Sequence, residues 1–306
     1  MRVFLAGATG VAGRPTVRAL VAAGHQVTGV ARSGSRAELL RSLGASPIEV
    51  DLFSPTHVRD AVRGHAAIVN LVTKIPGAMR TWVPGAWKEN DRIRTQVSRN
   101  LVDAGLAEGA EHYVQESLAF MYPDRGDRWI DEEVPPTPPR YAHSVLDAED
   151  QARRFVDGGG SGVVLRFGQF YAPDASHTVS MIAIARRGIS PFVGPKDAFL
   201  PLVYADDVGR AVVMAVAAPS GIYNVVDDEP LRQRDLAEAL ATALGRGRLR
   251  FPPRVLMRLG GSKVEMLMRS QRVSNRRFRD ATGWQPGMAT AREGFLATVE
   301  GGLGTA

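Results

Sequence analysis

The sequence contains no cysteine. Disulfides, thiolate catalysis and cysteine-ligated zinc are thereby excluded, and the absence agrees with a reducing, cytoplasmic location. It contains no run of about eighteen apolar residues, so no membrane span is expected. The opening Met1-Arg2-Val3-Phe4-Leu5-Ala6 is too short for the apolar region of a secretory leader and runs straight into a glycine-rich stretch. Lysine is scarce, with Lys74, Lys88, Lys196 and Lys263 the only four. No His–carboxylate spacing suggests a metal site. There is no internal repeat and no low-complexity tail.

What is present is a chain of 306 residues, 44% of them hydrophobic. That is enough for a large core in one large or two closely joined domains. The net charge of +6 is carried almost wholly by arginine. The arginines are scattered along helical stretches without a dense basic run. They read as solvated faces, and no nucleic-acid partner is expected.

The first half alternates short apolar runs with helical patterns, the signature of a parallel sheet with crossover helices. Strands are expected at Arg2–Ala6, Gln26–Ala31, Pro47–Val50, Ala67–Val72, Tyr113–Glu116 and Gly162–Arg166. Helices are expected after Gly13, with Val17, Leu20 and Val21 on one face, and at Ala37–Leu43, Val58–Arg63, Asn90–Glu108 and Arg140–Phe155. After about Tyr171 the rhythm changes, with proline- and glycine-bearing connections such as Ile189–Pro195. Strand–helix stretches then follow at Leu202–Val216 and Ile222–Leu244. The fold class is α/β: a Rossmann-type, doubly wound parallel sheet with a smaller C-terminal substrate-binding domain. Residues 1–170 form the nucleotide-binding domain, which 201–218 rejoin. Residues 171–200 and 219–306 form the substrate-binding domain.

The strand Arg2–Ala6 leads into Gly7-Ala8-Thr9-Gly10-Val11-Ala12-Gly13 and then into a helix. That context makes a glycine motif specific. The glycines permit a tight turn and close approach to phosphate, and the helix N-terminus offers N–H groups and partial positive charge to a diphosphate. Gly7, Thr9, Gly10, Val11 and Gly13 are therefore candidate cofactor-binding residues.

The Gly-x-x-Gly-x-x-Gly spacing resembles the extended and atypical short-chain dehydrogenases/reductases, also called the NAD-dependent epimerase/dehydratase family. The resemblance continues in order along nearly the whole chain. Asp51-Leu52 resembles the family's adenine-contacting pair. Asn70-Leu71-Val72-Thr73 resembles its fourth-strand end, and Leu165-Arg166-Phe167-Gly168-Gln169-Phe170-Tyr171-Ala172-Pro173 its sixth-strand motif. Trp129-Ile130-Asp131-Glu132 and the prolines up to Pro139 resemble the loop before its catalytic helix. Val203-Tyr204-Ala205-Asp206-Asp207-Val208, Gly221-Ile222-Tyr223-Asn224-Val225 and Gly283-Trp284-Gln285-Pro286 resemble its later signatures. The resemblance implies a nicotinamide cofactor, with Asp51, Leu52, Leu71, Val72, Thr73 and Phe167 among the residues that touch it.

An NAD-binding unit of this kind usually carries an acid at the end of its second strand, bonded to the ribose 2′-hydroxyl. Here no acid occurs before Glu38. The strand ends Val30-Ala31-Arg32-Ser33, with Arg36 close behind. A guanidinium is always charged and suits a phosphate. NADP(H) is thus expected over NAD(H), with Arg32 on the 2′-phosphate and Ser33 or Arg36 assisting.

The resemblance implies a reactive tyrosine, a lysine four residues later, and a serine or threonine from the fifth strand. Tyr141 stands at the tyrosine position, but Val145 stands where the lysine belongs. Counting back from Tyr122, the serine position falls on Leu118, and Ser117 lies one place early. Tyr141 and Ser117 are the catalytic candidates. Tyr141 can equally be a packing residue of an amphipathic helix, and Ser117 a structural hydroxyl. A tyrosine titrates at about 10 and stays neutral without a cation beside it. A neutral phenol is a poor base but can donate a proton, which favours carbonyl reduction over alcohol oxidation.

Two loops are candidates for shaping a substrate cleft. One runs from Lys74 to Lys88 with Met79, Trp82 and Trp87; the other runs from Tyr122 to Pro139 with Trp129. The leading reading is an NADP(H)-dependent oxidoreductase that reduces a carbonyl of a small organic metabolite. A second is an epimerase, dehydratase or isomerase-like enzyme using groups such as Lys74 or Glu116. A third is a non-catalytic NADP-sensing protein. The expected partner is a small-molecule substrate, with no nucleic acid and no membrane. The helices Asn90–Glu108 and Arg140–Phe155 could pair two copies in a homodimer. Their charges, including Arg92, Arg94, Arg99, Asp147, Glu149 and Arg153, could equally be the solvated face of a monomer.

Overall fold

The computed structural model describes residues 1–76, 85–253 and 265–303. Period-two alternation sets the main layer. In β1 (Arg2–Ala6), Val3 and Leu5 point into one hydrophobic cluster and Phe4 and Ala6 into another on the opposite face. The same division holds in β2 (Gln26–Val30), β3 (Ser46–Ile48), β4 (Ala67–Asn70), β5 (His112–Leu118), β7 (Ser161–Phe167) and β11 (Gly221–Val225) taken as one sheet. These seven strands lie in the order β11-β7-β5-β4-β1-β2-β3, every pair parallel. This is the Rossmann-type α/β fold expected from the alternation of elements.

Helix α1 (Gly13–Ala22) packs beside α8 (Ala205–Ala215) on one face. On the other face lie α3 (Pro55–Val62), α5 (Ser98–Ala107) and α6 (Ser144–Asp157). Helix α2 (Gly34–Ser42) follows β2 and packs Leu40 beneath the sheet.

Three expected elements differ in detail. The long helix is α4 (Lys88–Arg92) joined to α5 through a π-helical turn, Ile93–Val97. The Arg140–Phe155 helix is broken: Arg140–Ala142 form a 3-10 turn, and α6 begins only at Ser144. Pro139 is extended, and the turn that follows it is tighter than α. The division at residue 219 does not follow the sheet, because β11 hydrogen-bonds to β7 at its edge. Within 201–218, α8 packs on α1, but β10 (Leu202–Tyr204) pairs with β8 (Gln169–Tyr171) outside the main sheet.

The remaining elements build a smaller cluster around Tyr171, Phe192, Leu236, Leu240 and Phe295. They include α7 (Ser176–Arg186), α9 (Gln233–Ala243), α12 (Ala291–Leu303) and the antiparallel ladder of β9 (Phe199–Leu200) with β12 (Leu231–Arg232). Helices α10 (Glu265–Met268) and α11 (Arg276–Thr282) flank β13 (Arg272–Val273), which pairs with β6 (Trp129–Ile130). Among the described residues, no helix is long and apolar enough to cross a membrane.

Two buried acids join the parts, and only one is fully satisfied. The Asp207 carboxylate accepts hydrogen bonds from Gly287 N at 2.5 Å and Met288 N at 3.1 Å, tying the C-terminal segment to α8. Asp227 receives the Tyr171 hydroxyl at 3.2 Å on one oxygen, while the other meets no well-aligned donor among the described residues. Burial pushes the Asp227 carboxyl well above the ordinary carboxylate range, and the charge of Asp207 adds to it. Such a group favours the folded chain fully below its unfolded pKa of about 3.9. That contribution falls as pH rises, because the unfolded chain releases its proton first. Asp227→Asn is therefore expected to raise the unfolding midpoint at neutral pH, with the gain vanishing as pH falls toward about 4. Denaturant titrations across pH check this; a gain equal at both ends would show that ionisation is not the cause.

Candidate active site

The carboxyl ends of β1 to β4 converge on one edge of the sheet, and the glycine stretch lies there. The backbone turns at Gly7 with φ of 87°, a left-handed conformation that side chains disfavour. A β-carbon at Gly7 would also lie 2.6 Å from the carbonyl carbon of Leu71, just after β4. A β-carbon at Gly13 would run into the carbonyl oxygen of Gly7. The loop closes through a 3.0 Å hydrogen bond from Gly10 N to Gly7 O. Helix α1 has no side-chain cap; Arg14 N donates to Gly10 O at 3.1 Å and Pro15 has no N–H, which leaves Gly13 N at the start of the helix to meet an anion. Thr9 is half-buried, Gly10 is exposed, and Val11 packs on Ala172, Ala175 and Ala205.

At the end of β2, Arg32, Ser33 and Arg36 are all exposed. Neither arginine makes a hydrogen bond or ion pair among the described residues. The Ser33 hydroxyl lies 3.3 Å from that of Ser35, at the extended N-cap of α2. Asp51 is exposed, and one of its oxygens accepts from Phe53 N at 2.9 Å. Leu52 is half-buried, with its carbonyl held by Asn100 at 3.0 Å. Leu71 is buried and Val72 and Thr73 are half-buried beyond β4. The glycine cradle, the open helix end and two uncommitted cations fit an adenine dinucleotide that carries phosphate. Phe167 does not belong with them. Its side chain has no exposure and packs in the sheet core with its ring 5.4 Å from Phe170, so the expected cofactor contact is corrected.

Tyr141 sits on the 3-10 turn before α6, in an apolar corner. Leu118, Met121, Ala142, Val145, Leu146 and Met266 pack around it. The Trp87 ring lies 5.0 Å from its ring, tilted by 45°. The residues at the expected serine and lysine positions, Leu118 and Val145, thus both belong to the hydrophobic cluster around Tyr141. Burial pushes the phenol up to about 12, and the negative charge of Glu265 adds to the shift while Arg269 opposes it. The shift favours the neutral phenol, the form that can donate a proton.

Ser117 is turned away from this corner. It is wholly buried, and its hydroxyl donates to Glu149 of α6 at 2.5 Å. Adjacent strand residues face opposite sides, so the neighbour of Leu118 cannot share its cluster. Ser117 is corrected from catalytic candidate to structural hydroxyl. Its partner Glu149 also binds Arg166 of β7 through two hydrogen bonds of 2.8 and 2.7 Å. Arg166 donates to the Tyr122 hydroxyl at 2.8 Å, which donates to Asn224 of β11 at 2.9 Å. A second buried pair joins Arg94 of the π turn to Glu116 at 3.2 Å. Burial drives the Glu116 carboxyl up, and Arg94 opposes the shift. Arg94 and Glu149 are therefore neither solvated nor dimer-facing, as the helix pattern allowed, but buried counter-ions.

The alternative catalytic groups are also committed. Lys74 is exposed and paired with Glu89 at 2.7 Å, and Glu116 is held by Arg94. Trp129 is half-exposed, with the Arg272 guanidinium 4.1 Å over its ring. Met79 and Trp82 lie outside the described residues. The Glu149–Arg166 pair escaped the sequence reading. Its signal was Arg166 itself, a charge inside a buried strand that requires a counter-ion.

Among the described residues, no group of three or more His, Asp or Glu side chains could hold a metal. The family profile described as NAD dependent epimerase/dehydratase family matches residues 3–225. A Streptomyces protein named 3-diazoavenalumate denitrifying reductase is 31% identical over 307 residues, covering 96% of this chain and 99% of its own. The 2-alkyl-3-oxoalkanoate reductase of Shewanella oneidensis is 26% identical over 251 residues, covering 74% and 62%. Human epimerase family protein SDR39U1, solved with NADPH, superposes with a TM-score of 0.83 at 22% identity, covering 98% of this chain and 99% of its own. Thermus thermophilus UDP-glucose 4-epimerase, solved with NAD, gives 0.80 at 23% identity and full coverage of both chains. At these identities the two structures speak for the fold alone.

Glu149→Ala is expected to destabilise the protein by about 3–5 kcal/mol, because it leaves the Arg166 guanidinium buried and unpaired. Ser117→Ala should cost only about 1 kcal/mol, since Glu149 keeps its two bonds to Arg166. Urea midpoints of the two variants check the order, and a Ser117→Ala loss as large as that of Glu149→Ala would contradict it.

Proposed function

The chain belongs to the NAD dependent epimerase/dehydratase family and is an NAD(P)-dependent protein of the oxidoreductase and epimerase kind, and on that premise we propose that it is an NADP(H)-dependent oxidoreductase that reduces a carbonyl of a small organic metabolite. Gly7, Thr9, Gly10, Val11 and Gly13 cradle the diphosphate on the α1 terminus. Arg32 meets the 2′-phosphate, with Arg36 and Ser33 beside it. Asp51 and Leu52 border the adenine, and Leu71, Val72 and Thr73 line the run from β4. The bound, reduced nicotinamide supplies a hydride to the substrate.

The observation that carries the direction of reaction is the neutral Tyr141 phenol in its apolar corner, with Val145 in the place of a lysine. A phenol held at about 12 gives a proton to an alkoxide forming in front of it, and it resists taking one from an alcohol. Carbonyl reduction is therefore the direction this residue serves. The name of the Shewanella relative, an oxoalkanoate reductase, supports the same class.

A second reading has its own support. The Streptomyces relative is named for denitrifying reduction of a diazo substrate, and Leu118 and Val145, at the serine and lysine positions, both belong to the cluster around Tyr141. An arenediazonium ion that accepts a hydride becomes an arene as dinitrogen leaves, and it needs no proton. Such an acceptor asks of the corner only that it exclude water and orient the substrate.

Arg32→Glu is expected to weaken NADPH binding by about 10- to 100-fold, the worth of a charge-assisted contact, and to leave NADH binding nearly unchanged. Calorimetric titration of both cofactors checks it, and tighter binding of NADH than NADPH by the unaltered protein would overturn the NADP assignment. Tyr141→Phe is expected to lower kcat for an aryl ketone by about 100-fold or more. Unchanged ketone turnover would remove Tyr141 from the mechanism. Turnover of an arenediazonium salt that survives the same substitution would favour the second reading.

A further inference from the structure

A cavity of 380 Å³ opens between α7, the 191–193 connection, β9 and α10. That volume suits a small organic ligand. Its neighbour is the Tyr141 corner: Met266 of α10 packs in that corner, and Leu267, the next residue, lines the cavity. A four-residue helix is thus a shared wall between them.

The wall is built. Gln233 is almost completely buried, and its amide is spent on structure, accepting from Gly194 N at 2.7 Å and donating to Leu267 O at 3.0 Å. It fastens the connection and α10 together. The apolar surface comes from Met181, Ile184, Phe192, Leu200 and Leu267. None of the described lining residues carries a fixed charge. A diphosphate placed here would lose its water without gaining a cation, which is strongly unfavourable.

The polar atoms facing a ligand are acceptors. His177 Nε2 lies 2.5 Å from the carbonyl oxygen of Phe170. A carbonyl only accepts, so Nε2 carries a proton, and in that tautomer Nδ1 offers a lone pair. The Gln169 amide nitrogen donates to the Met181 sulfur at 3.7 Å, and its oxygen has no partner among the described residues. Ser180 donates to Ser176 O at 2.9 Å and keeps its own lone pairs.

We propose that this cavity holds the body of the substrate and selects an uncharged, phenol-bearing aromatic compound, whose hydroxyl donates to one of the two acceptors, Gln169 or His177, while its ring lies against Phe192 and Met181. Aromatic rings favour both partners, through ring–ring and sulfur–ring contact. The assignment rests on the proposed reductase reading only in taking the occupant to be the substrate. It separates this protein's substrate from nucleotide sugars, whose diphosphate the cavity does not accommodate.

The test measures binding without turnover, in the NADP⁺-saturated full-length protein, by calorimetry with four probes: 4-hydroxybiphenyl, biphenyl, biphenyl-4-carboxylate and UDP. The hydroxyl compound should bind about five- to tenfold tighter than biphenyl, the worth of one hydrogen bond, and the two anions should bind more weakly still. Gln169→Leu combined with His177→Phe should bring 4-hydroxybiphenyl down to the affinity of biphenyl and leave biphenyl itself unchanged. Equal binding of the two neutral compounds to the unaltered protein, or tighter binding of either anion, overturns the proposal. If the double variant does not fold, the probe series on the unaltered protein still decides. Phenol-selective binding with no NADPH consumption toward any phenolic ketone would leave the cavity assignment standing and remove the reductase reading.

Discussion

The Arg166 guanidinium is the interaction on which the catalytic half is hung. It lies on a central strand with almost no exposure, flanked by apolar residues. A charge there is tolerated only with full pairing. Glu149 supplies two hydrogen bonds from α6, and the Tyr122 hydroxyl supplies a third contact from the segment after β5. Asn224 then continues the chain of bonds into β11. Four pieces of backbone are thereby locked in register. Helix α6 carries Tyr141 on the turn just before it, so the position of the phenol depends on a pair buried below.

The floor and the corner are opposites. Below lie Arg94 with Glu116 and Arg166 with Glu149, each cation matched to a carboxylate. Around Tyr141 lie Leu118, Val145, Met121 and Met266. The boundary between the two environments is a single peptide unit, because Ser117 faces the floor and Leu118 the corner. A one-residue slip of register would exchange them. Leu118 and Val145 both lie in the hydrophobic wall of that corner, and the phenol responds to burial by holding its proton more tightly.

Much of this was legible in the chain. The glycine spacing, the absence of acid before Glu38 and the strand rhythm led directly to the sheet edge where Gly7 meets Leu71. Local pattern sufficed because each feature is set by its neighbours in sequence: a turn, a helix start, a strand end. What stayed hidden depends on contacts distant in sequence. The Arg94–Glu116 pair spans 22 residues, and Tyr122 meets Asn224 across 102. Helical periodicity placed Glu149 and Arg94 on charged faces without saying that those faces would be covered. The π turn at Ile93–Val97 has no sequence signature of its own. Phe167 read as a cofactor contact because a motif reports position along the chain, not which side of the sheet a side chain takes.

Charge is segregated along the cleft, and this ties the two ends of the proposed function together. At the β2 end, Arg32 and Arg36 stand exposed and without an ion pair among the described residues, where solvent and salt moderate their field. Around the cavity beside α10, the described lining residues carry no fixed charge. An anionic cofactor tail gains most from cations at the first place, and an uncharged substrate loses least on entering the second. At Tyr141 burial raises the phenol, the Glu265 carboxylate adds to the shift and the Arg269 guanidinium opposes it. On the proposed reading, with Val145 at the position of the family's lysine, a phenol that keeps its proton is suited to meet the alkoxide formed as a carbonyl is reduced.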